Sequence, residues 1–339
     1  MKLSQLSMQN EELGELGTHK YLSFHRFLAD FGIDSYKLNP IQADCSARRY
    51  YRVISDQGTH ILMDSSKDRS IGSFLYIASI LKRTGLRPPE ILKSDLSIGY
   101  LLTEDFGSTQ LTQNLISNPH HESQLYGLCT ETLIKLSEVE TADLQVPPYS
   151  HKLLNKELHL FSEWYLKYNV EPVAYPSVRD ELGLVFDELY NHLPKLPQVL
   201  TLRDFMADNL MVLNHSYNLE SLGLLDFQDA VVGNCAYDLV SLLEDARRDV
   251  RQSVVDNCKA SFCETLKLNP KDFNDSYTIL GLQRNLKIVG IFHRRHIRDG
   301  EPKYLDYLPR VWQFIKTGLE QDIAHPLKTW FDRHGVFIK

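Results

Sequence analysis

Apolar positions recur at helical spacing over residues 19–33, which predicts a first helix that Asn39-Pro40 breaks away from. From Asp44 to Ser65 the period changes. Arg49-Tyr-Tyr-Arg-Val-Ile alternates, Asp56-Gln-Gly turns and Thr59-His-Ile-Leu-Met returns, the pattern of a strand pair. Positions 74, 75, 77, 80 and 81 make one helix face, and after Pro88-Pro89 the runs Glu90-Ile-Leu and Gly99-Tyr-Leu-Leu-Thr-Glu predict two more strands. Residues 1–107 therefore read as a strand-rich first domain.

Residues 108–339 read as a second, mainly helical domain. Periodic segments cover 120–138, 151–168, 177–193, 236–249, 251–267 and 275–297, with a last one over 306–323. One interruption lies between Gln198 and Phe227. Val199-Leu-Thr-Leu, Leu210-Met-Val-Leu and Leu222-Gly-Leu-Leu are three short apolar runs between polar turns. Short strands inside a helical region, with acidic residues at their ends, put those carboxylates at its surface. No period of 20–50 residues recurs, so the chain is not a solenoid.

Composition narrows the class. With 339 residues, 43% of them hydrophobic and 24% charged, the chain has the make-up of a globular protein of about two domains. Lys and Arg number 37 against 44 Asp and Glu, a net −7, so no basic excess points to nucleic acid or to an anionic membrane. No apolar run reaches the 18 or so residues of a membrane helix. Glu11, Glu12 and Glu15 rule out a secretory signal at the start of this sequence, and the five scattered cysteines form no CxxC pair. The expectation is a cytoplasmic protein with a small-molecule substrate and neither a nucleic-acid nor a membrane partner. The acid excess is local: Leu202–Asp249 holds nine carboxylates against three arginines.

Within that segment Asp204 and Asn209 are spaced D-x4-N, and Asp226 ends the next apolar run but one. Phosphoryl transfer asks for this order: one Asp to take the hydroxyl proton, then an Asn and a second Asp to hold magnesium on ATP. The spacing alone decides nothing, because Asp34/Asn39 and Asp229/Asn234 share it. Only Asp204 lies between two strand-like runs and precedes a strand ending in Asp-Phe. Asp208, beside Asn209, is a candidate for a substrate hydroxyl or a solvated turn residue. Asp238 reads as a helix-start or loop-anchoring residue, and Asp229 as a magnesium contact or a local cap. His293 and His296 share a helix face without a third metal ligand. Residues 281–310 carry seven Lys/Arg against three acids, which makes either a solvated face or an attraction for an anionic substrate.

Four stretches carry a resemblance: Asp44-Cys-Ser-Ala-Arg-Arg-Tyr-Tyr-Arg-Val, Leu202–Leu213, Gly223–Val250 and Leu282–Leu305. They are similar to the aminoglycoside phosphotransferase and choline kinase-like family, and most of all to its bacterial amino-sugar kinases of cell-wall recycling. Those enzymes phosphorylate the anomeric hydroxyl of N-acetylmuramate or N-acetylglucosamine. The resemblance implies an α+β, bilobal protein kinase-like fold, with a β-rich N-lobe over a mainly α-helical C-lobe, and ATP and Mg²⁺ as cofactors. It implies Asp204 as catalytic base and Asn209 and Asp226 as magnesium ligands. It also implies nucleotide contacts at Ser46, Arg48 and Arg49 in the phosphate-covering hairpin, and at Glu104 and Phe106 where backbone meets adenine. Glu163 and Trp164 fall where the family builds its acceptor pocket.

The sequence also departs from the family. Leu202 stands where a His is usual, and Gln228 is third in the Asp-Phe-Gly-like triplet. Met63 replaces the third-strand lysine that pairs with ATP phosphates, a gap the amino-sugar kinases resemble; Lys67, Arg48 or Arg49 could supply the charge. Two other readings stay open: a kinase of another acceptor (aminoglycoside, choline or an amino alcohol), and a kinase-fold binding protein without turnover.

Overall fold

The computed structural model describes residues 18–41, 48–68, 70–214 and 216–336, so Ser46 lies outside the described residues. The chain divides into two compact units. One comprises residues up to Tyr76 together with Pro89–Gly107; the other comprises Ile77–Pro88 and Ser108 onward.

The first unit is built on a five-stranded antiparallel sheet of order β1-β2-β3-β5-β4. Its strands are β1 (Tyr36–Ile41), β2 (Arg49–Ser55), β3 (Gly58–Asp64), β4 (Ile91–Asp95) and β5 (Tyr100–Glu104). Alternation sorts their side chains. Tyr51, Val53, Leu62, Tyr100 and Leu102 share a buried cluster with Tyr21, Phe24, Phe27 and Leu28 of helix α1 (Thr18–Ala29). Asn39-Pro40 does break from α1, yet Pro40 sits inside β1 opposite Tyr51. An edge strand tolerates a residue without an N–H, which is why the proline did not advertise a strand. Helix α2 (Ile71–Arg83) follows, burying Ile71, Phe74, Ile77, Ile80 and Leu81.

The second unit is helical around two short sheets. In order it holds α3 (Leu111–Ser117), α4 (Glu122–Leu136), α5 (His151–Phe161) and α6 (Tyr175–Asn191). Helix α5 widens into a π turn, Ser162–Leu166, before its last turn at Lys167–Asn169. The predicted interruption is real: β6 (Gln198–Thr201) pairs with β9 (Val231–Asn234), and β7 (Leu210–Val212) with β8 (Leu222–Leu224), both antiparallel. Then come α7 (Ala236–Leu243), α8 (Gln252–Thr265), α9 (Pro270–Asp299), α10 (Leu308–Leu319) and α11 (His325–His334). Helix α7 stops earlier than the apolar period suggested, because Asp245 folds back to accept from the Arg247 N–H at 2.9 Å.

Helix α9 organises this unit. Asn269 caps it by accepting from the Lys271 and Asp272 N–H groups, Pro270 opens its first turn, and Gly300 closes it at φ +68°. It is buried without a break from Ile279 to Gly290. At Gly290 it passes so close to α5 that a Cβ would meet the Leu160 carbonyl carbon at 2.2 Å. The basic stretch at 281–310 is no free cationic face. Lys287 pairs with Glu157, Arg295 with Asp299 and Glu301, Arg298 with Asp299, and Arg310 with Asp249.

The α5–α9 contact makes a prediction. Gly290→Ala should destabilise the folded chain by about 2 kcal/mol or more, as overpacking against rigid backbone does. Urea unfolding would read it, and Gly183→Ala, where a Cβ meets nothing within 4 Å, should show no such loss.

Candidate active site

Strand β6 delivers Leu202, Arg203 and Asp204 into a loop that one buried carboxylate holds. Asp238, in the first turn of α7, accepts from the Leu202 N–H at 2.6 Å and the Arg203 N–H at 2.8 Å. It is the loop anchor that its position at a helix start suggested. Arg203 takes φ +72°, a left-handed conformation uncommon for a side chain of this size, and its carbonyl accepts from Ser241. Its guanidinium donates to Glu157 and to the Asp229 carbonyl, and lies 5.7 Å from the Tyr149 ring centroid. Asp204 follows, half-buried, with its carboxylate in no hydrogen bond to the described residues. A carboxylate held by its backbone and left uncommitted at its side chain can accept a proton.

The β7–β8 hairpin brings the other two residues to the same loop. Leu210 pairs with Leu224, so Asn209 lies opposite Leu225, whose N–H donates to the Asn209 carbonyl at 2.9 Å. Asp226 is the next residue. Asn209 Nδ2 donates to the Asp204 carbonyl at 2.9 Å, which turns the amide oxygen the other way. Asp226 takes φ +56° and accepts from Gln228 Nε2 at 2.9 Å. The same Nε2 donates to Asp229 at 2.9 Å, so Gln228 ties two like charges together. This use of the triplet's third position was not foreseen, nor does its residue type reveal it.

Behind Arg203 lies a buried ionic group that the sequence reading missed. Glu157 accepts from Tyr149 at 2.5 Å, from Arg203, and from Lys287 at 3.2 Å; Lys287 also donates to the Tyr237 hydroxyl at 3.3 Å. Burial opposes the charge on Glu157, but Lys287 and Arg203 hold it below the usual carboxylate range. A signal existed. Glu157 sits on the apolar stripe Leu154, Leu158, Phe161 of α5, where a carboxylate needs a partner.

The remaining expected residues separate. Asp208 accepts from Thr112 at 2.5 Å and pairs with Arg247 at 3.2 Å, so its carboxylate is committed within the fold. Glu163 is exposed on the π turn and accepts from Tyr175 at 2.9 Å, with Trp164 half-buried beside it. His293 Nδ1 donates to the Val289 carbonyl at 2.8 Å, an interaction within its own helix. In the first unit Arg48 is buried, 3.7 Å from Asp68, whereas Arg49 is exposed on the Tyr51 side of β2. Met63 is buried between Tyr50 and Leu101, with no cation in its place. Glu104 accepts from the Glu90 N–H at 2.6 Å, and Phe106 is half-buried. Between them Asp105 pairs with Arg52 at 2.5 Å, and Arg52 also donates to the Gly107 carbonyl.

A carboxylate on a loop, with an Asn and an Asp carried beside it by a hairpin, is the arrangement expected of a phosphotransferase of the kinase-like class. Residues 37–268 match the phosphotransferase enzyme family APH, and the chain belongs to that family. It is 30% identical to the N-acetylmuramate/N-acetylglucosamine kinase of Pseudomonas aeruginosa over 84% of each chain. It is 26% identical to the protein of that name from Caulobacter vibrioides, over 91% of this chain and 94% of that one. Among solved structures it resembles a putative aminoglycoside phosphotransferase from Ralstonia eutropha (TM-score 0.63, 12% identity, 90% of this chain and 98% of that one). It also resembles the ternary complex of streptomycin, ATP and APH(2'')-IIa (TM-score 0.60, 12% identity, 91% and 98%). The fold is thus the kinase-like one, a five-stranded antiparallel sheet followed by a mostly helical region, and the protein is a small-molecule kinase of this family. Among the described residues no helix is long and apolar enough to cross a membrane.

Asp238 gives this site a measurable signature. Burial pushes its carboxyl from 3.8 up to about 7, against the two N–H donors that pull it down. The folded chain therefore holds this proton more tightly than the unfolded one. The stability it contributes is complete below about pH 4 and is lost as the pH rises through about 7. Asp238→Asn should destabilise by about 1–3 kcal/mol, since its amide cannot accept at both atoms. Urea unfolding should find the gap between wild type and variant wider at pH 5 than at pH 8.

Proposed function

We propose that this chain is an ATP- and Mg²⁺-dependent kinase of an amino sugar, acting on the anomeric hydroxyl of N-acetylmuramate or N-acetylglucosamine in the cytoplasm. The observation that carries the reading is the convergence of Asp204, Asn209 and Asp226 on one loop and hairpin. The acceptor is inferred from four curated relatives bearing the same name. In this reading residues 1–107 serve nucleotide binding and residues 108–339 carry the catalytic hairpin.

The donor set fits magnesium. The Asn209 amide oxygen and the Asp226 carboxylate are hard oxygens, and Mg²⁺ is commonly bound by one or two carboxylates plus substrate phosphates. Bound there, the metal would neutralise charge on the phosphates. Asp204 would accept the acceptor hydroxyl's proton while its backbone is held through Asn209 and Asp238.

Release of ADP over a panel of amino sugars, choline and aminoglycosides tests the acceptor, and amino sugars should be the substrates turned over. Asp204→Ala should lower kcat by about 10²–10⁴, the usual loss of a general base. Near-normal turnover by that variant would overturn the assignment. Asp226→Ala should abolish the magnesium-dependent thermal shift with ATP, a reading that does not need turnover.

A further inference from the structure

The loop from Asp204 to Asn209 is held at a second place. Asp245, just past the end of α7 and 1% exposed, uses both carboxylate oxygens: Oδ2 accepts from the Ala207 N–H at 3.3 Å and Oδ1 from the Arg247 N–H at 2.9 Å. The Arg247 side chain returns to the same loop. Its Nε lies 3.2 Å from an Asp208 carboxylate oxygen, its Nη1 3.4 Å from the Met206 sulfur, and its guanidinium carbon 6.0 Å from the Tyr307 ring centroid. Met206, Ala207 and Asp208 are thus each met by one member of the Asp245–Arg247 pair. Asp208 is engaged by the start of α3 as well: Gln110 donates to its carbonyl at 2.7 Å, and the Thr112 hydroxyl to its carboxylate.

These residues decide where Asn209 sits. They lead through the 3₁₀ turn Ala207–Asn209, where the Asn209 N–H donates to the Met206 carbonyl at 2.9 Å. Its side-chain Nδ2 donates to the Asp204 carbonyl at 2.9 Å, so backbone and amide are both set within the loop. The two ends of α7 therefore hold different parts of it: Asp238 the approach to Asp204, Asp245 and Arg247 the approach to Asn209. Charge makes Arg247 the critical member. Burial pushes the Asp245 carboxyl above its usual range, Arg247 opposes the rise through its N–H and its guanidinium, and Asp208 adds to it. One guanidinium serves two carboxylates, and without it like charges would repel Asp208, and the turn with it, from Asp245.

We propose that Arg247, seated by Asp245, is the positioning residue for Asn209, holding residues 206–208 so that the Asn209 amide oxygen is presented to the cation that accompanies the nucleotide. The inference rests on the reading of Asn209 as a magnesium ligand, and the test separates the two. Calorimetry on the full chain measures how much Mg²⁺ tightens the binding of adenylyl imidodiphosphate, a non-hydrolysable ATP analogue. No acceptor is present, so a contact of Asp208 with substrate does not enter. Arg247→Met should cut the gain from Mg²⁺ by about tenfold, as loss of a residue that orients a metal ligand does, with metal-free affinity within about twofold of wild type. Asp208→Asn, nearly isosteric, should show the same loss, and the double variant no more than either, because both remove one contact. Arg247→Lys should restore most of the gain, since an ammonium supplies the charge that Asp208 meets. Should Arg247→Met fold poorly, Asp208→Asn decides by the same reading. If Asn209→Ala loses the gain while Arg247→Met and Asp208→Asn keep it, the proposal alone falls. If wild type gains nothing from Mg²⁺, or Asn209→Ala keeps the gain, the magnesium reading falls and the proposal with it. Equal weakening with and without Mg²⁺ in Arg247→Met and Asp208→Asn would mark a merely structural role and overturn the proposal too.

Discussion

The rest of the second unit depends on two backbone N–H groups meeting one buried carboxylate. Asp238 accepts from Leu202 and Arg203 with both of its oxygens, and so fixes the end of β6 against the start of α7. Its position is demanding: the burial that shields it also disfavours its charge, and only the two short N–H bonds and Arg284 act in its favour. What the anchor holds is an awkward piece of chain. Arg203 is left-handed, and without its N–H and carbonyl both engaged that conformation would relax at little cost. The turn it makes sends the guanidinium back to Glu157, while the carboxylate of Asp204, the next residue, accepts no hydrogen bond from the described residues.

The Glu157 group is the second layer of the same constraint. Two cations and one carboxylate, all largely buried, tie α5, the β6 loop and α9 together. Such a group contributes little net stability over apolar packing, but removing one member leaves the others charged and unmatched. Its value lies in fixing position: Arg203 cannot swing without leaving Glu157 to Lys287 and Tyr149 alone. The tight crossing at Gly290 fits that picture, because Lys287 lies one turn away on the same helix. The long buried helix brings a lysine to the β6 loop only if its axis can approach α5 closely.

Much of this was legible before any coordinate. The short strands at 198–227 interrupt helical periodicity so sharply that the hairpin was expected from pattern, and the family resemblance then singled out Asp204, Asn209 and Asp226 on it. The π turn in α5 and β1 were not expected, since a proline edge strand and a widened helix leave no periodic trace. The ionic group escaped for a different reason. Glu157, Arg203 and Lys287 are separated by 46 and 130 positions where they meet, and a charge on an apolar stripe says that a partner exists without saying which. The basic stretch at 281–310 misled in the opposite direction: summed along the chain it is cationic, but in space its charges are mostly spent on Glu157, Asp249, Asp299 and Glu301.

The missing third-strand lysine is where local packing and charge meet. Met63 is 2% exposed in register with Tyr50 and Leu101, so that position belongs to the core of the sheet, and an ammonium there would be buried without a carboxylate opposite. The three replacements in the sequence are not equal. Lys67 is exposed beyond the end of β3, and Arg49 alternates onto the Tyr51 face. Arg48 differs from both. It is buried at 7% exposure, next to the segment that includes Ser46, and its salt bridge to Asp68 is long at 3.7 Å. Of the three cations, Arg48 alone is buried among the described residues, with its guanidinium beside Asp68.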